Sequence, residues 1–193
     1  MVVYGKAKRD HNHAHNDVGQ VCIDAMGQRM IIDPGSPSAY PADFFDEHRW
    51  KYYNASAFGH NVPMFGGREQ QFTPHNRGVK SGIDFASVNG RILQAEFDDE
   101  TGGFWQMDLS KAYDGVLRVV RTVVHLFPGF VAVLDEGELG KAEDISLRWH
   151  MIEVPDLKKD GALQLVSRGV GLTGQIDVIA GSLIEHRIQH HEY

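Results

Sequence analysis

The chain has 193 residues, 42% of them hydrophobic and 23% charged, with a formal net charge of -7. This is the composition of a folded domain with a substantial core, which excludes a disordered or low-complexity protein, and no basic stripe offsets the acidic balance to bind nucleic-acid phosphates. No apolar run approaches the roughly 20 residues of a membrane-spanning helix, and the single Cys22 rules out an intrachain disulfide framework.

Residues 1–10 carry Lys6, Lys8 and Arg9 without an apolar stretch, so they do not form a signal peptide. His11, His13 and His15 follow at alternate positions. On an extended strand alternate side chains share a face, so the three would line one side at roughly 7 Å steps. Residues 20–32 predict a hairpin. Val21, Ile23 and Ala25 alternate against Cys22, Asp24 and Met26, and Gly27-Gln28 turns the chain into 29–32. Asp33-Pro34-Gly35 ends the second strand and leaves Asp33 at a strand exit.

Residues 36–57 read as an irregular aromatic loop with Tyr40, Phe44, Phe45, Trp50, Tyr52 and Tyr53, and one helical turn near 43–47. A loop of this length is commonly functional or a binding lip. From about residue 79 the pattern is short strands separated by Gly, Asp and Pro. The expected strands are 81–88, 91–98, 103–109, 116–127, 129–135, 145–154, 162–167, 175–180 and 182–189. Val88-Asn89-Gly90-Arg91 and 98–103 carry turn signals. No amphipathic helix competes with them. The predicted fold is all-β, a two-layer antiparallel β-sandwich forming one domain over 1–193.

His15, Asp33 and His60 offer two imidazole nitrogens and a carboxylate, the ligand count of an open zinc site. The residues alone leave this open, since strand-end and loop polar groups are often His and Asp, and Asp17 is a rival carboxylate. Asn16 and Asn61 are candidate donors for orienting the ligands. His13 can share a strand face with His15 without binding the ion, and an imidazole with a pKa near 6.5 suits proton transfer. It reads equally as a structural histidine. Tyr40, Tyr52 and Tyr53 can each serve as an acid, a base or a sugar-stacking face, or simply pack the loop. Arg49 offers a cation for a sugar carboxylate or for a surface ion pair. Arg121, His125, Trp149 and His150 read as core or rim residues. His186, His190 and His191 read as solvated, and Cys22 as a small buried residue.

His13-Ala14-His15-Asn16-Asp17-Val18-Gly19, Gly27, Asp33-Pro34-Gly35, Arg49-Trp50 and Gly59-His60-Asn61 occur in an order and spacing that resemble the C-terminal domain of heparinase II/III-type polysaccharide lyases. The later β-rich part resembles it in style, through 108–113, the Arg121 strand, and Pro128-Gly129-Phe130 with Asp135. The resemblance implies a supersandwich-like fold, zinc held by His15, Asp33 and His60, a cleft position for His13, and a cleft tyrosine in the loop after Asp33-Pro34-Gly35, where Tyr40 stands. It also implies β-elimination of a uronic-acid polysaccharide such as a glycosaminoglycan or alginate. In that chemistry the sugar carboxylate is neutralised, a His or Tyr removes the C5 proton, and a tyrosine protonates the departing oxygen. The zinc acts as a structural clamp.

In the family the cleft is completed by an N-terminal α-helical toroid, to which nothing here corresponds. The expectation is a fragment of a larger periplasmic or secreted lyase, folded but with little activity alone. Two other readings compete. His15-x-Asp17 with a later histidine also fits the facial triad of iron(II) oxygenases, with Arg68 as a basic residue for an acid cosubstrate. A carbohydrate-binding or accessory β-sandwich, with the histidines only pinning loops, is the non-enzymatic alternative.

Overall fold

The computed structural model describes residues 1–8, 15–45, 48–71, 88–179, 181, 185 and 187–190. Among them there is no α-helix, and the strands form antiparallel sheets. The first sheet comprises β1 (Val2–Gly5), β2 (Val21–Ala25) and β3 (Gln28–Ile31), in that order. Ala25 pairs with Gln28, so Met26 and Gly27 alone make the turn, both at positive φ (49° and 75°). Two consecutive left-handed residues form the type I′ turn, whose twist matches the flanking strands.

Opposite lies a four-stranded meander of β5 (Arg91–Asp98), β6 (Gly102–Asp108), β7 (Val116–Leu126) and β8 (Phe130–Leu139), which follow β4 (Pro63–Phe65). The β5–β6 turn is set by Asp98, whose Oδ1 accepts hydrogen bonds from the Glu100 and Thr101 amides at 3.0 and 2.8 Å. Val21, Ile23 and Ile31 of the first sheet meet Trp105, Met107, Val119 and Val123 of the second in one buried cluster. That apolar layer between two sheets is the expected sandwich, because each sheet hides one face on the other.

β4 pairs with β9 (Ile145–Leu147). A further meander of β10 (Asp156–Leu157), β11 (Ala162–Ser167) and β12 (Val170–Gln175) packs Leu165 against Ala25 and Met30.

β5 and β11 have the predicted bounds, and β6 and β7 fall within a residue of them. The other expectations fare differently. β8 runs on to Leu139 because the long β7 pairs with it throughout, Val116 facing Leu139. The strand expected over 145–154 stops at Leu147, since the His150 amide turns to the Asn61 side chain at 2.6 Å and its carbonyl accepts from Ile32 at 2.8 Å. The strand expected over 175–180 lies instead at Val170–Gln175, where the positive-φ pair Arg168 and Gly169 closes a tight hairpin that the glycines Gly171 and Gly174 disguise as loop. Of the strand expected over 182–189, the described residues 185 and 187–189 are not in strand, and the one over 81–88 lies, save for Val88, outside the described residues. Of the helical turn expected near 43–47, residues 43–45 are turn residues and 46 and 47 lie outside the described residues; a 3-10 turn follows at Arg49–Lys51. The short strands β1, β4 and β10 carry too few residues to show an alternation.

Candidate metal centre

Three separate pieces of chain deliver His15, Asp33 and His60. His15 lies at the entry to β2, where the Asn16 amide donates to the Ala55 carbonyl at 2.8 Å and ties this entry to the loop carrying His60. Asp33 sits just beyond β3. Its Oδ1 accepts from the Gly35 amide at 2.6 Å and its Oδ2 from Gln20 Nε2 at 2.5 Å. His60 follows the 3-10 turn Ala57–Gly59, and its Nδ1 lies 2.8 Å from the Ser56 carbonyl. A carbonyl only accepts, so Nδ1 carries the proton and the Nε2 lone pair faces the cluster. Gly59 is required here on steric grounds, because a Cβ would stand 2.1 Å from the Tyr53 carbonyl oxygen.

His15 Nδ1 lies 3.3 Å from His60 Nε2, and His60 Nε2 lies 4.0 Å from Asp33 Oδ1. One ligand atom from each of the three residues falls within 4.8 Å of the others. Donors at about 2.0–2.2 Å around a tetrahedral ion stand roughly 3.3–3.6 Å apart, so the set fits zinc with small adjustments of Asp33. His60 is fully buried and His15 nearly so, whereas the Asp33 side chain keeps 31% of its exposure and marks the open side. Burial, then the neighbouring His60, push the His15 imidazole down to about 3. It is therefore neutral at pH 7 and can take a cation without first losing a proton.

The surroundings hold the three pieces in register. Glu69 Oε2 accepts from Asn16 Nδ2 and the Ala57 amide, both at 2.9 Å, and so bridges the His15 and His60 segments. Burial raises the Glu69 pKa while these donors oppose the rise. Asn61 Nδ2 donates to the Val21 and Ile32 carbonyls at 2.9 Å, and its amide donates to Gln20 Oε1 at 2.9 Å. Arg121 on β7 sends Nη1 to the Gly19 and Asn61 carbonyls at 2.7 and 2.6 Å, while Nε and Nη2 grip Asp135 at 2.7 and 2.8 Å.

The structure thus brings together the three residues put forward from the sequence as a metal-binding group. Asn16 binds Glu69, Asn61 binds the strand carbonyls and, through its main-chain amide, Gln20, and Gln20 and the Ser56 carbonyl hold Asp33 and His60. Gln20, Ser56 and Glu69 carry no signal in the sequence, because single polar residues act here only through the fold. Asp17, the rival carboxylate, is not part of this group: its Oδ2 pairs with Lys6 at 2.7 Å, and Arg68 is forked onto Glu143 at 2.5 and 2.7 Å. Arg49 is not at the surface. It is 1% exposed, with its guanidinium 5.2–5.5 Å from the rings of Phe44, Phe45 and Trp50.

Tyr40 is exposed, with its ring 4.8 Å from both Phe44 and Phe45. Cys22 is buried and His190 exposed, as expected. His11, His13, His186 and His191 lie outside the described residues.

No helix among the described residues is long and apolar enough to cross a membrane. A comparison with curated proteins returns no match. The family profile described as "Heparinase II/III-like, C-terminal" matches residues 3–183, nearly the whole chain and every motif discussed above. An all-β sandwich bearing His15, Asp33 and His60 within this match means that the chain belongs to the heparinase II/III-like C-terminal domain family.

Proposed function

We propose that this domain forms one wall of the cleft of a lyase that cleaves uronic-acid polysaccharides by β-elimination, with His15, Asp33 and His60 holding a zinc ion. The observation that carries the reading is the meeting of two imidazole nitrogens and a carboxylate from positions far apart in sequence, inside the family match. Zinc bound there would supply a fixed charge that clamps three loops together. The residues do the remaining work. Gln20 and Ser56 aim Asp33 and His60, and Glu69 and Asn61 keep their segments apart at a set distance.

For proton transfer the sequence puts forward His13, two residues before a ligand, and Tyr40, whose exposed side chain in the loop after Asp33 is open to a substrate. Stabilising charge on the sugar carboxylate is the largest demand of this reaction. On this reading an N-terminal helical domain forms the opposite wall, and the whole enzyme works in the periplasm or outside the cell.

The test uses the protein in its natural full-length form. Metal analysis is expected to return one zinc per chain, and incubation with uronate polymers is expected to raise ultraviolet absorbance from the unsaturated product. The 193-residue chain alone is expected to hold zinc but to turn over little polymer. A metal-free protein that yields no unsaturated product from any uronate polymer overturns the reading.

A further inference from the structure

β5 is an edge of the four-stranded meander, and all 8 of its residues are exposed. Among the described residues no strand pairs with its outer side. Its register with β6 assigns the two faces. Ile92 pairs with Met107, Ala95 with Trp105 and Phe97 with Gly103, so these three lie on the face that carries the core. Arg91, Gln94, Glu96 and Asp98 pair with Asp108, Gln106, Phe104 and Gly102 and lie on the other face. Leu93 is the extra residue of a bulge between Ile92 and Gln94. Ile92 is 51% exposed and Phe97 72%, although both belong to the apolar face. A long strand edge with uncovered apolar side chains is a template for a further strand.

The residues of β5 point to which strand that is. Residues paired across an antiparallel ladder share a face. A two-fold axis through Ala95 lays β5 beside its own copy with Ala95 against Ala95 and Gln94 against Glu96. With the bulge counted as one position, Ile92 and Leu93 then meet Phe97, and Arg91 meets Asp98. Small stands on small, an amide on a carboxylate, apolar on apolar and a cation on an anion. Arg91 is held in its own chain by Asp108 at 3.4 Å, a long contact on an exposed face. Asp98 spends Oδ1 on Glu100 and Thr101, and its Oδ2 takes no hydrogen bond among the described residues. The neighbouring registers fit less well. An axis through Glu96 sets that carboxylate against itself, which is destabilising. One through Gln94 carries Phe97 and Asp98 past Arg91, where the copy's strand begins.

We propose that two copies of this protein pair through β5, antiparallel about a two-fold axis at Ala95, so that their meanders join into one continuous sheet. Such an interface is isologous, and it needs a surface complementary to itself, which the charges of Arg91 and Asp98 at opposite ends of β5 provide. The pairing satisfies the outward amides and carbonyls of both edges. It also covers Ile92 and Phe97 of each copy with those of the other. The proposal is independent of the lyase reading, because it uses no residue of the metal centre.

The test is sedimentation of the protein in its natural full-length form over a range of concentrations, with variants at the axis. A monomer–dimer equilibrium is expected. Ala95→Lys sets two ammonium groups against each other on the axis and is expected to weaken the dimer about 10-fold or more, with Tm unchanged. Ala95→Cys is expected to give a disulfide-linked dimer on mild oxidation, because paired Cα atoms stand about 4.5–5.5 Å apart, within the span of a disulfide. Gln94→Cys does not face its own copy and is expected to cross-link far less. Should Ala95→Lys lower Tm, the two cysteine variants decide. A protein that stays monomeric overturns the proposal. So do a dimer that a folded Ala95→Lys leaves intact, equal cross-linking by the two cysteine variants, and open-ended association, since a two-fold pairing closes.

Discussion

The guanidinium of Arg121 donates to the main-chain carbonyl of Asn61 at 2.6 Å, so a strand of the second sheet directly holds the residue beside His60. The same side chain is fully buried, forked onto Asp135 and placed 5.5 Å from the Trp149 ring. Arg121→Ala would leave Asp135 largely buried without its cation and two carbonyls without a donor. Loss of one partner of a buried pair costs about 3–5 kcal/mol. Urea denaturation is expected to show a loss of that size, with zinc affinity falling as well because the His60 segment loses its anchor.

Zinc content separates the histidines. His15→Ala and His60→Ala each remove one of three donors and are expected to reduce bound zinc to under about a tenth, abolishing the rise in Tm that zinc gives the unaltered chain. His13→Ala is expected to leave zinc and Tm nearly unchanged. Metal analysis of the three variants with parallel melting curves checks this division. Loss of zinc from His13→Ala equal to the other two would refute it.

Acidification should destabilise the metal-free chain through His15. Its folded-state value is about 3 against an ordinary 6.5, so between these values the unfolded chain binds a proton that the fold refuses. Stability from this source is complete above about pH 6.5 and declines as pH falls towards 3. The slope is about 1.4 kcal/mol per pH unit for one proton. Urea midpoints across this range are expected to fall less steeply in His15→Gln, by close to that amount.

Met26 occupies a left-handed position at φ 49° with its side chain 84% exposed. It gains nothing from burial to offset the backbone strain. Asn tolerates this conformation and is preferred before Gly in a type I′ turn. Met26→Asn is expected to stabilise the chain by about 0.5–1 kcal/mol in denaturant, with zinc content unaffected.

The sequence by itself determined the class of fold and put forward the three residues that the structure groups. Period-two alternation in 21–25 and 91–98, with turn residues at fixed offsets, leaves few alternatives to paired strands. His15, Asp33 and His60 stood out because their residue types are the ones zinc accepts. The partners of these groups depended on tertiary structure. Gln20 finds Asp33, Glu69 joins Asn16 to Ala57, and His150 meets both Tyr53 and Asn61 only after distant segments have packed. Arg49 and Arg121 make the point most plainly. Both are buried arginines, yet one ends against the Phe44, Phe45 and Trp50 rings and the other on a carboxylate and two carbonyls. A local pattern reports which face of a strand is apolar. Which groups satisfy a buried charge is decided by what the fold brings within about 3 Å of it.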